Sequence, residues 1–137
     1  WLQNKLDDSL KKNQNVFIFM HHNPFPLAQL ESDLIGLVDR DQFKSIISNY
    51  KKIIKHIFFG HQHITVSGNY LGIPFSAPRS INHPLVPNFS KEYRLGFANT
   101  DPSYNIVLLN NESLIIHNED FLKTSVNWFE TTKDIRE

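Results

Sequence analysis

Two apolar runs that each end in histidine constrain this chain more than any other feature. "VFIFM" (16–20) runs into His21-His22-Asn23-Pro24, and "HIFFG" (56–60) runs into His61-Gln62-His63. Neither run alternates apolar with polar residues, and both are rich in β-branched and aromatic side chains. Each therefore predicts a strand buried on both faces, in a parallel or mixed sheet covered by helices. In an open α/β sheet, ligands collect beyond the carboxyl ends of the strands. If the two strands are parallel neighbours, their histidines converge in one crevice. On extended backbone, His61 and His63 point to the same side. Gly60 before them lets the chain leave the strand with unusual dihedrals and lets a ligand approach closely. Neutral imidazole is the commonest protein metal ligand near neutral pH, so these strand-end rings read as part of a metal site. A lone strand-end histidine is more often a hydrogen-bonded structural residue; the metal reading rests on the two clusters together. His56, before its strand, and His117, on a late hairpin, read as structural.

The surrounding pattern supplies an α/β layer. Leu2, Leu6 and Leu10 mark one face of a helix that ends near Asn13, a residue suited to the left-handed conformation. Residues 23–38 read as a long loop of the kind that carries function. Asp39 or Asp41 is expected to cap a helix with Phe43, Ile46, Ile47 and Tyr50 on one side. "ITVSGNYLGIPFSA" predicts a hairpin around Gly68-Asn69, and "NIVLLNNESLII" another around Asn110-Asn111. Between them lies an irregular Pro- and Asn-rich stretch with one strand near 93–98, and "DFLKTSVNWFE" reads as a short helix or tail. A single domain over 1–137 is expected, with 119–137 as its tail.

Fourteen basic side chains balance fourteen acidic ones, which argues against a nucleic-acid or membrane-surface role based on bulk charge. There are no cysteines, so a metal here must use His, Asp, Glu or Asn. No stretch approaches the ~20 apolar residues of a membrane span. A cytoplasmic location is the expectation. The chain opens on Trp1 rather than Met, and its first residues are expected to belong to the middle of a longer parent.

The order of motifs resembles the calcineurin-like metallophosphoesterase family, in its cyclic-nucleotide and glycerophosphodiester phosphodiesterase branch. That branch has a Trp-Leu-x-x-x-Leu helix, like Trp1, Leu2 and Leu6, and then an apolar strand ending His-His-Pro-Pro, like His21-His22-Asn23-Pro24. An Asp-containing loop follows, like Ser32-Asp33, and a second strand ends Gly-His-x-His, like Gly60-His61-Gln62-His63. A Gly-Ile-Pro strand comes next, like Gly72-Ile73-Pro74, so the resemblance covers roughly residues 1 to 84. It implies the carboxyl-terminal half of a four-layer α/β/β/α sandwich. It also implies two transition-metal ions (Fe, Mn, Zn or Co) between the sheets. On this resemblance His21 and His61 bind one metal, His63 binds the other, and His22 sits beside them as a catalytic residue in contact with phosphate or a neighbouring ligand. His21 is preferred over His22 as the ligand.

The family's Asp-x-His, Gly-Asp and Gly-Asn-His motifs, which supply the remaining and bridging ligands, are absent from this sequence. Two ions ~3.5–4 Å apart need anionic ligands around them, which neutral imidazoles alone do not provide. At most one weakly bound ion and negligible turnover are therefore expected of the chain alone. Homo-oligomerisation, or pairing with the missing half, is expected to cover its strands. Asn23 replaces the family's first proline, giving up rigidity and offering a side-chain donor. The family's Pro-Ser/Gly-Thr-x-His-Gln pattern becomes Pro78-Arg79-Ser80-Ile81-Asn82-His83 here, one residue longer and without the glutamine. His83 and Arg79 are expected to line the substrate site, with a surface salt bridge as the alternative for Arg79. The implied substrate is a small phosphodiester such as a cyclic nucleotide or glycerophosphodiester. The alternatives are a non-catalytic interaction module that keeps half of the scaffold, or a small mononuclear zinc protein.

Overall fold

Leucines four residues apart give α1 (Leu2–Lys11) its inner face: Leu6 is buried, Leu2 packs against the core, and Leu10 is already half-exposed. The helix stops as its sequence predicts, with Asn13 in the left-handed region at φ 51°. The computed structural model describes residues 1–29, 33–90 and 92–121. Ser32 and most of the expected terminal helix or tail lie outside those residues. After α1 come β1 (Val16–Phe19), α2 (Arg40–Ser48), β2 (Ile54–Phe58), β3 (Val66–Tyr70) and β4 (Ile73–Ala77). The remaining strands are β5 (Leu85–Val86), β6 (Gly96–Phe97), β7 (Ser103–Leu109) and β8 (Leu114–Asp120). The architecture is mixed α/β, with a four-stranded sheet in the order β1-β2-β4-β3.

The pairing of β1 with β2 is parallel, as is that of β2 with β4; β3 closes the sheet antiparallel to β4. The two histidine-ended strands are therefore parallel neighbours. Helices cover one face of this sheet. Phe43 and Ile47 of α2 join Leu6, Ile18, Ile54, Ile57, Phe59 and Ile73 in one buried cluster. Asp39 stands at the expected start of α2, but its carboxylate makes no capping hydrogen bond. Tyr50, just past the helix, donates its hydroxyl to Asp7 Oδ1 at 2.6 Å and so ties the two helices together.

The opposite face corrects the expectation of strands buried on both sides. Alternation along β1 and β2 places Phe17, Phe19, His56 and Phe58 there. Phe19 stacks on Phe58 with ring centroids 4.8 Å apart, yet it is 74% exposed. The β7–β8 hairpin reaches over part of this face. A cavity of about 590 Å³ separates them, lined by His56, Phe75 and Ser76 on one side and Asn105, Ile116 and Asn118 on the other. β1 is also an edge strand.

The first hairpin forms, but its turn is not at Gly68-Asn69. Leu71 (φ 57°) and Gly72 (φ 89°) make the two-residue turn, and Asn69 Oδ1 accepts the Gly72 amide at 2.8 Å. Gly68 lies within β3 opposite Phe75, where a Cβ would come within 2.8 Å of the ring. The glycine thus makes room for an aromatic residue rather than for a bend. The second hairpin turns at Asn110 as expected, with Asn110 Oδ1 accepting the amides of Glu112 and Ser113.

His56 is structural. It is 3% exposed, and its Nε2 lies 3.0 Å from Ser76 Oγ on the adjacent strand. Burial pushes its pKa below the ordinary imidazole value. The unfolded chain takes up a proton near pH 6.5, whereas the native state resists it. The contribution of neutral His56 is thus complete above about pH 6.5 and is lost as pH falls through the lower native value. Urea midpoints are expected to hold between pH 7 and 8 and to fall on acidification below about 6.5. A His56→Gln variant should show a shallower acid slope; an unchanged slope would remove His56 as a cause.

Candidate active site

The ladder between β1 and β2 continues past the strand ends and carries the histidines with it. Met20 N donates to the Phe58 carbonyl at 3.0 Å, and Gly60 N donates to the His21 carbonyl at 3.0 Å. His21 is thereby held beside Gly60-His61. The rings of His21 and His61 have centroids 5.1 Å apart, with His21 Nε2 3.3 Å from His61 Nδ1. His22 completes a trio, 4.3 Å from His61 and 5.0 Å from His21 between ring centroids.

His63 goes elsewhere. Its ring lies 4.5 Å from that of His83, and its Nδ1 is 3.2 Å from the His83 carbonyl oxygen. The backbone explains the divergence. Residues 61–63 are not extended: His61 (φ 67°) and His63 (φ 55°) are both in the left-handed region. Gly60 is not the residue with the unusual dihedral. A Cβ there would meet only ordinary contacts with His21, at 3.8 Å. Each left-handed non-glycine residue costs on the order of 1–3 kcal/mol and persists only where surrounding contacts over-determine it.

The long loop after His22 is held by specific contacts. Phe25 is buried, stacked on Tyr70 at 4.2 Å and edge-on to Phe59 at 5.8 Å. Asp33 accepts the amides of Leu27 (2.7 Å) and Gln29 (3.1 Å), and Arg40 donates to the Asp33 carbonyl. The aspartate of the family-like loop therefore braces backbone. Arg79 pairs with Asp120 and donates Nε to the Asp101 carbonyl at 3.2 Å. This is the surface salt bridge weighed against phosphate binding. His83 lies against His63.

Sequence reasoning passed over the anchoring by Phe25 and the buried side-chain bond from Gln62 to Asn23. The one available signal was Asn23 at a position where the related motif has proline.

His61 is the electrostatic centre of the trio. Burial lowers its pKa, and the neighbouring imidazoles of His22 and His21 push it in the same direction by repelling a second positive charge. The Ile35 carbonyl offsets part of this. The ring is thus kept neutral, the form that donates a lone pair. Its Nε2 is buried without a hydrogen bond of normal geometry. A neutral imidazole beside two others suits a cation in kind. The arrangement is incomplete, however: among the described residues, no group of three or more His, Asp or Glu is placed to hold a metal ion. His21, His22 and His61 are the donors that meet here.

The chain is similar to two probable cyclic nucleotide phosphodiesterases. One, from Rhodopseudomonas palustris, is 28% identical over 107 residues, covering 78% of this chain and 39% of that protein. The other, from Colwellia psychrerythraea, is 39% identical over 59 residues, covering 43% of this chain and 22% of that protein. The matches thus span well under half the length of either relative. No protein-family model matches the chain. Among the described residues, no helix is long and apolar enough to cross a membrane.

Proposed function

We propose that this chain is the carboxyl-terminal part of a calcineurin-like metallophosphodiesterase that hydrolyses a small phosphodiester, with a cyclic nucleotide as the first candidate. The reading is supported above all by the convergence of His21, His22 and His61 at the ends of two parallel strands. The similarity to two proteins named as probable cyclic nucleotide phosphodiesterases agrees with it. In this reading the chain's sheet belongs to a four-layer α/β/β/α sandwich. The edge of β1 and the exposed Phe19 ring are covered by the remainder of the fold or, failing that, by a second copy.

His21 and His61 would hold one ion and His63 its neighbour, with carboxylates contributed from outside these 137 residues. The metals (Fe, Mn, Zn or Co) supply a low-pKa water and a positive field for the phosphoryl oxygens. The protein's own part is positional. His61 stays neutral because its surroundings disfavour a proton. His22, exposed beside it, would donate a hydrogen bond to a phosphate or leaving-group oxygen. A non-catalytic half-scaffold is the second reading, favoured by the lack of a three-donor group among the described residues.

The coding sequence upstream of Trp1 tests the two. In-frame Asp-x-His and Gly-Asn-His motifs are expected, and the longer polypeptide should hydrolyse cyclic nucleotides when loaded with Mn²⁺. The purified 137 residues should not. Robust turnover by the short chain would overturn the half-site reading. Metal-loaded but inert longer protein would favour the non-catalytic one.

A further inference from the structure

We propose that the side chains of Asn23 and Gln62 form a positioning clamp that holds the two imidazole-bearing turns together. The inference rests on the phosphodiesterase reading only for its purpose, not for its geometry. Asn23 follows His21-His22 after β1, and Gln62 lies between His61 and His63 after β2. The Gln62 amide donates to Asn23 Oδ1. Asn23 in turn donates Nδ2 to the Phe25 carbonyl at 3.0 Å, and its own carbonyl accepts the Leu37 amide at 3.0 Å. The two side chains are 0% and 1% exposed, whereas His21 and His22 beside them are exposed.

The clamp answers two local problems. Residues 61 and 63 both occupy strained left-handed backbone, so something must over-determine the segment between them. Gln62 is the inward anchor: its Nε2 is fixed on Asn23 and its backbone amide on the Gly60 carbonyl at 2.7 Å. The flanking imidazoles then have one orientation relative to His21 and His22. Burial in turn makes the amide pair specific, because a buried amide that loses its partner is strongly penalised. The loop closes over the pair at Gly36. A Cβ there would collide with Arg40 Nη2 and lie 2.7 Å from Asn23 Oδ1 and 2.9 Å from Nδ2, so only glycine leaves the amide and the Arg40 guanidinium undisturbed.

A mere packing role and a positioning role separate in a set of variants of the 137-residue chain. Asn23→Leu and Gln62→Met each break the buried bond between the two amides, and both should lower the melting temperature. The double variant should lose less than the sum of the two single losses, because each single variant already removes the one bond the pair shares. It should nevertheless lose the nuclear Overhauser contacts between the His21 and His61 rings in histidine-labelled protein. Co²⁺ affinity should fall about 10–100-fold, as for other groups that orient ligands. Gly36→Ala keeps both amides but pushes on Asn23, and should weaken the same ring contacts even if a single variant fails to fold. A double variant with unchanged His21–His61 contacts overturns the clamp. Lost contacts, paired with a longer wild-type protein that hydrolyses no phosphodiester, support the clamp and sink the phosphodiesterase reading instead.

Discussion

Ile57→Ala is expected to destabilise the chain by about 2–5 kcal/mol, close to unfolding it at room temperature. Ile57 is completely buried in β2, which has β1 on one side and β4 on the other. Its register partners are Ile18 and Phe75, and it shares a cluster with Leu6, Phe43 and Ile47. Truncation removes three carbons where sheet and helices meet, and close-packed neighbours do not collapse fully into the gap. The exposed Phe19 and the cavity beneath the β7–β8 hairpin leave the fold little reserve elsewhere. Urea titration followed by circular dichroism reads the effect directly. A shift below about 1 kcal/mol would mean that β2 is not the centre of the core.

If the chain belongs to a longer phosphodiesterase as proposed, His61→Ala in that protein is expected to lower kcat/KM by about 10²–10³-fold, corresponding to roughly 3–4 kcal/mol of lost transition-state stabilisation. His61 touches both other rings of the trio and has the only nitrogen among these rings that is buried without a normal hydrogen bond. Its loss removes a neutral imidazole from between the other two rings. Metal content after mild purification should fall in parallel. His117→Ala, on the exposed part of β8, serves as the control and should change neither quantity. Equal metal content and rate in His61→Ala would take His61 out of the site.

The histidine trio was legible because its two halves sit at strand ends whose apolar character is unambiguous. Local alternation, or its absence, identifies a strand, and adjacent strands of an α/β layer have few ways to pair. The same logic failed at Phe19, since an apolar run reports what a strand is built to touch, not what covers it in these 137 residues. It also misplaced the first hairpin turn. Gly68-Asn69 has the composition of a turn, but Gly68 is needed in β3 to admit the Phe75 ring, so the left-handed positions fell to Leu71 and Gly72. The partner of the Arg79 salt bridge was out of reach for a similar reason: Asp120 is 41 residues away and no local pattern links them.

By itself the sequence determined helices α1 and α2, the two histidine-ended strands and the second hairpin's turn, because each depends on residues within one or two turns of chain. Only the tertiary structure decided which imidazoles meet. Left-handed backbone at His61 and His63 sends one ring to His21 and His22 and the other to His83. That strained geometry is set by contacts between residues some forty positions apart, with Asn23 and Gln62 at its centre. Periodicity carries no record of contacts at that separation.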